Sequence, residues 1–361
     1  MRSSCDRREW MNRVALGAGL IWLVGNETRA GTASSPDRNG EALAQGTRDF
    51  IVRCHRDDGG YSPSPDPKYA GESDTGFSDL AAVTYAAVLA RTMGWDLPER
   101  RKSVDFIRRH QRPDGRFVNL AGRHDPASDL ALLYNTTQGV VGLRSLGVRP
   151  EVDPTPVIER LLAGNAIEAL PWYTTSFFPL FYAAMGQPFP DPFRRKIAGH
   201  MDRHQADDGF LGDHVAATFH MAHFFRLIGE PTPKAARMVA RVLQDQKVSG
   251  GWDIKEPDWD VHACFDAVFI LRQLGGDDAR VRAAIAKGAD WALGCRNADG
   301  GFGHFPGRPS DMDAVYFQFG TLIQAGYVPG ARLDLPDAHT LGWGHAMQPG
   351  RDYRNRPPGH P

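Results

Sequence analysis

GGWDIKEPDWDVHACFDAVFILRQLGG, residues 250–276, decides the fold. Gly250 and Gly251 mark a turn, and a loop of prolines and acids follows with Pro257, Asp258 and Asp260. Ala263, Phe265, Val268, Phe269, Leu271 and Leu274 then recur at helical spacing up to Gly275-Gly276, which predicts a mostly buried helix. Asp260, His262 and Cys264 sit at the mouth of that helix.

The turn signature recurs. CHRDDGGY (54–61), HQRPDGRF (110–117), HQADDGF (204–210), QKVSGGW (246–252) and CRNADGGF (295–302) align on one glycine. The interval from Gly115 to Gly209 is close to twice the others, so a degenerate sixth unit is expected near Ala166–Gly186. Amphipathic segments precede the turns: Glu99–Gln111, Pro190–Gln205, Thr232–Gln246 and Ala279–Cys295. The segments after them are more uniformly apolar: Asp79–Gly94, Thr174–Gly186, His214–Gly229, Asp260–Gly275 and Asp311–Gly326. An amphipathic outer layer around an apolar inner layer is what that contrast predicts. The expectation is an all-α chain of about six helix hairpins, about twelve helices, either closed into a ring or open as a solenoid.

Charge and targeting narrow the setting. With 42 basic and 43 acidic residues the net charge is −1, and basic residues do not interleave with aromatics, so nucleic acid is not an expected partner. Four cysteines are too few for a disulfide scaffold, although Cys54 and Cys295 occupy nearly equivalent places in the first and last units, which leaves a bridge between them open. Residues 1–33 read as an export signal: Arg7-Arg8 precedes the short apolar run Val14–Val24, with small residues at Ala30–Ala33 where a peptidase could cut. That run is too short for a stable membrane span. Residues 34–41 read as a linker, 42–330 as the repeat domain and 331–361 as a polar tail without helix.

The D-G-G turns, the segment SDLAAVTYAAVLARTMG (78–94) and the block DWDVHACFDAVFILRQLGG (258–276) together resemble the superfamily of prenyltransferase β subunits and squalene/terpene cyclases. The resemblance covers roughly residues 42–330 and implies an α/α toroid whose inner helices surround an apolar funnel. Function is a separate matter, because the repeat is far more specific to the fold than to a reaction.

Counting back from the glycines that close the inner helices puts Asp79, His214, Asp260 and Asp311 at one equivalent position, a helix start, where an aspartate also serves as an N-cap. The resemblance assigns Asp260 and His262 to the Asp-x-Cys pair that binds zinc in protein prenyltransferases, with histidine in place of cysteine and Cys264 as a substitute ligand. Its third ligand position is occupied by Ala314, so Asp313 or His304 would have to complete a zinc site. Read against the cyclases, Asp311-Met-Asp313-Ala resembles their acid motif, with Asp313 as proton donor and Asp311 beside it. Lys255 and Arg272 are scattered, which gives little for a diphosphate. His220 and His223 read as packed rather than ligating.

The sequence therefore leads to a prenyl-group transferase with a zinc site and an isoprenoid or other apolar ligand in the funnel. The alternatives are an exported, non-catalytic toroid that binds an apolar ligand or a protein, and a terpene cyclase-like enzyme using Asp313.

Overall fold

Asn39 opens the first helix by accepting the backbone N–H groups of Glu41 and Ala42, and α1 runs Gly40–Arg53 with Leu43, Thr47, Phe50 and Ile51 on its buried stripe. It starts within the stretch read as linker. The computed structural model describes residues 39–70, 73, 75, 78–120, 128–164, 166–170, 172–253 and 263–333. The export signal, most of the tail, Lys255, Asp260 and His262 lie outside the described residues.

Among the described residues a two-layer arrangement follows: α2 Asp79–Met93, α3 Arg100–Arg109, α4 Asp129–Ser145, α5 Thr155–Ala163, α6 Phe177–Met185, α7 Asp191–His204, α8 Val215–Ile228, α9 Ala235–Asp245, α10 Ala263–Leu274, α11 Ala279–Gly294, and a last inner helix in pieces, with a single helical turn at Ala166–Ala169 and a 3-10 turn at Trp172–Thr174 between α5 and α6. That last helix begins as α12, Met312–Ala314, passes through a π-helical turn at Val315–Phe319 and continues as α13, Gly320–Gln324. Among the described residues, odd-numbered α1–α11 form the outer layer, and the even-numbered helices with α13 form the inner one.

Composition explains the sorting. In α2 every residue from Leu80 to Ala90 is buried, and five of them are alanines that let neighbouring helices approach on all sides. In α3 only Ser103, Val104, Phe106 and Ile107 are buried while its arginines stay wet. At the end of α2, Gly94 takes a left-handed conformation (φ 69°) and its N–H and that of Trp95 satisfy the carbonyls of Arg91 and Ala90.

The repeat turns are joints between units. Gln111 Nε2 donates to the carbonyls of Gly115 (3.0 Å) and Val152 (2.6 Å), Gln205 Nε2 to Gly209 (2.9 Å) and Pro233 (3.0 Å), and Gln246 Nε2 to Gly250 (2.9 Å) and Ala284 (2.8 Å). Each glutamine thus closes its own turn and ties it to the chain of the next unit. The turn glycine cannot be replaced freely: at Gly59 (φ 88°) a Cβ would lie 2.2 Å from the Lys102 carbonyl oxygen.

The last turn decides between ring and solenoid. Gly300 (φ 81°) presses on the first outer helix, where a Cβ would lie 2.4 Å from the Gly46 oxygen, and Arg296 donates to the Ala42 carbonyl at 3.3 Å. On the inner side, the Met312 N–H reaches Pro63 O (2.8 Å), and Tyr316 stacks on Tyr85 with centroids 4.3 Å apart. No disulfide joins Cys54 to Cys295 across the closure; both are buried thiols.

Helix α4 escaped the sequence pattern. Its buried face carries Asn135, Thr136, Thr137 and Gln138, which blur the apolar signal of an inner helix. Three of them are paired: Thr137 donates to Leu133 O (2.7 Å) and Gln138 to the Tyr134 hydroxyl (2.7 Å) within the helix, and Thr136 accepts from the Phe117 N–H of the preceding turn (3.2 Å). Among the described residues no helix is long and apolar enough to cross a membrane.

Candidate active site at the ring seam

Asp311 is the N-cap of α12. Its Oδ1 accepts the Ala314 N–H at 2.8 Å, as a helix-capping aspartate should. Its Oδ2 accepts the Tyr69 hydroxyl and lies 2.7 Å from His304 Nε2. His304 is also 3.7 Å from Asp313 Oδ2, so one imidazole serves two carboxyls. Both aspartates are buried, whereas His304 keeps some exposure.

The two acids face different surroundings. Burial raises the Asp311 pKa, but the His304 charge, the hydrogen bonds from His304 and Tyr69 and the Ala314 N–H outweigh it and hold the carboxyl below its ordinary value. Asp313 is pushed up to about 7, first by burial, with the nearby Asp311 charge adding to the rise while His304 and the Tyr85 hydroxyl oppose it. Two buried carboxyls around a single imidazole do not both ionise easily, and the one with more donors takes the charge. Burial and the Asp311 charge also push the Tyr69 phenol well up, so it stays a donor.

The site exists because the ring closes. Tyr69 and Tyr85 belong to the first unit, whereas His304, Asp311 and Asp313 belong to the last. Nothing in the sequence pointed to Tyr69, which sits in a loop of prolines and polar residues. Tyr85 did leave a trace, as the one aromatic in an inner helix of otherwise aliphatic and small residues.

The other predicted site residues are placed differently. The Cys264 thiol donates to Gly288 O on the outer helix α11 at 3.4 Å, away from His304, Asp311 and Asp313. Asp79 is not a cap: Ser78 occupies that place, and Asp79 instead pairs with His110 Nε2 of the following turn at 2.8 Å. His214 does cap, with Nδ1 accepting the Ala217 N–H at 3.3 Å. His220 is buried against Ser176 Oγ (2.7 Å), and His223 stacks on Phe219. Arg272 donates to the Gln324 carbonyl of α13.

A metal ion would find three donors here. One ligand atom from each of His304, Asp311 and Asp313 lies within 4.8 Å of the others. Composition suits zinc, but the arrangement is already bonded, and an ion would have to displace Tyr69 and His304 from Asp311 Oδ2.

Aromatic rings spread from the seam across the inner layer. Tyr85 and Tyr316 meet Phe317, Phe317 meets Phe265 (5.5 Å), Phe265 meets Phe219 (5.7 Å), His220 links Phe219 to Phe177 (4.9 and 5.4 Å), and Phe177 meets Tyr134 (6.3 Å). Five of the inner helices and the π-helical turn contribute to this chain of edges. Such an interior is apolar yet rich in negative ring faces.

Comparison with known proteins gives the same architecture. The family described as "Prenyltransferase alpha-alpha toroid domain" matches residues 32–140 and 183–350. Among solved structures, protein geranylgeranyltransferase-I of Candida albicans, complexed with GGPP, aligns at 12% identity with a TM-score of 0.58, over 84% of this chain and 96% of that one. The type II terpene cyclase MstE of Scytonema aligns at 16% identity with a TM-score of 0.50, over 74% and 82%. A complex of the same cyclase with geranylgeranyl dihydroxybenzoate aligns at 14% identity and a TM-score of 0.50, over 83% and 98%. Curated protein sequences give no match.

Proposed function

The chain belongs to the prenyltransferase α/α-toroid family, and from that premise we propose that it is an enzyme acting on an isoprenoid, with Asp313 as its general acid. The observation that carries this reading is the unequal pair at the seam. Asp311 is saturated by Tyr69, His304 and the Ala314 N–H, which leaves the buried Asp313 beside it as the group that keeps a proton. In the reaction the Asp313 O–H bond breaks and a C–H bond forms on an electron-rich double bond of the substrate. The resulting carbocation is stabilised by the faces of the aromatic chain. Loss of a proton from a neighbouring carbon regenerates a double bond and returns the acid, so isomerisation or cyclisation needs no further reactant. That both solved relatives are named with isoprenoid ligands supports the substrate class.

Incubating the purified chain with polyprenols and polyprenyl hydrocarbons in deuterium oxide tests it. Deuterium should enter a C–H position of the product, and Asp313→Asn should remove that incorporation. A chain that binds these compounds but exchanges nothing would be the non-catalytic carrier instead.

The compact donor set favours one second reading, prenyl-group transfer with zinc held by His304, Asp311 and Asp313, and by Asp260 and His262 if they reach it. Zinc would supply a Lewis acid and an activated nucleophile there. Stoichiometric zinc in untagged protein, lost in Asp311→Ala, would favour it over the acid.

A further inference from the structure

Asp266 is the buried acid that the seam does not use. It lies in the first turn of α10, is 0% exposed, and neither carboxyl oxygen has a hydrogen-bond partner among the described residues. Its direction follows from its neighbours. Cys264 bonds to Gly288 O, and Val268 packs where a Gly288 Cβ would lie, so these two face the outer helix α11. A helix turns about 100° per residue, which puts Asp266, two residues from each, on the opposite face, toward the ring interior. Its neighbour Phe265 packs on Phe219 and Phe317, and Phe269 one turn on packs on Phe219 and His223. A carboxyl therefore stands among the aromatic edges of the inner layer.

Such a group is costly to bury, and nothing among the described residues compensates it. We infer that Asp266 recognises the ligand, hydrogen-bonding to an oxygen-bearing group, a hydroxyl or a carbonyl, on an otherwise apolar isoprenoid held between the inner helices. This rests on the isoprenoid reading above and narrows it to oxygenated members of that class. Burial raises the Asp266 pKa well above its ordinary value, which keeps the acid form that both donates and accepts.

The test compares binding of geranylgeraniol and the matched hydrocarbon lacking the hydroxyl, followed by tryptophan fluorescence of the full chain, in wild type, Asp266→Ala and Asp266→Asn. Wild type should prefer the alcohol by about tenfold or more. Asp266→Ala should bring that ratio to about one while melting at or above the wild-type temperature, and Asp266→Asn should retain most of the preference. Equal binding of the two compounds by wild type, or a preference that survives in Asp266→Ala, would overturn the role of Asp266 and leave the isoprenoid reading standing. Binding of neither compound by wild type would overturn both.

Discussion

The Tyr69 hydroxyl donates to Asp311 Oδ2 across 242 residues of sequence. Together with the Met312 N–H on Pro63 O, that bond stitches the loop before α2 to the start of the last inner helix. Tyr69→Phe removes the donor without emptying the space. Because Tyr69 helps to hold the Asp311 pKa down, the stabilisation it gives is present above the ordinary carboxylate pKa and fades as pH falls through the lowered value. Urea denaturation should show a loss of about 1.5–3 kcal/mol at pH 7, shrinking toward pH 3. A loss that did not vary with pH would mean that Asp311 does not carry the charge.

Asp313 has the opposite sign. Its folded pKa of about 7 lies above the ordinary value of 3.8, so its acid form is the one compatible with the fold. The associated stability is complete below about pH 4 and is lost as pH rises through about 7. Proton-donor activity should follow the same limb and fall above pH 7. Asp313→Asn should lower turnover by about a hundredfold or more and flatten the decline in melting temperature between pH 5 and 8. An activity that climbs through pH 7 would favour a base or a metal-bound nucleophile over the acid.

Closure of the ring can be loosened at one atom. Gly300→Ala adds a Cβ at positive φ into the Gly46 carbonyl, whereas Gly307→Ala adds one at similar φ (79°) with nothing within 4 Å. The first should cost about 3 kcal/mol or more and the second about 1 kcal/mol, the strain of the conformation alone. Hydrogen exchange should show extra opening at α1 and at the start of α12 in Gly300→Ala. Equal losses in the two variants would mean that the seam does not depend on this contact.

Export is open to a direct experiment. Replacing Arg7 and Arg8 by lysine should strand the precursor in the cytoplasm if residues 1–33 act as a twin-arginine signal. Fractionation and immunoblotting of the full chain decide it, and unchanged export of the double variant would exclude that route.

Local chemistry by itself determined the repeats and their layers. A glycine at positive φ, an apolar helix after it and an amphipathic helix before it are short-range features, so the five turns and most of the helices were legible from residue order. Helix α4 was the exception, because Thr137 bonds back to its own helix and Gln138 donates to Tyr134 and accepts from Ser78 at the start of α2, so both could be buried without looking apolar. Asp311 and Asp313 stood out in the sequence as acids at an inner helix start. What they do there was not encoded locally. Their contrast comes from His304 in the same unit and from Tyr69 and Tyr85, which reach them only when the last unit docks on the first. Closure is a long-range event, carried by contacts such as Gly300 on Gly46 and Tyr316 on Tyr85. Burial and donor count set the two pKa values, and both are properties of the closed ring rather than of the sequence around either aspartate.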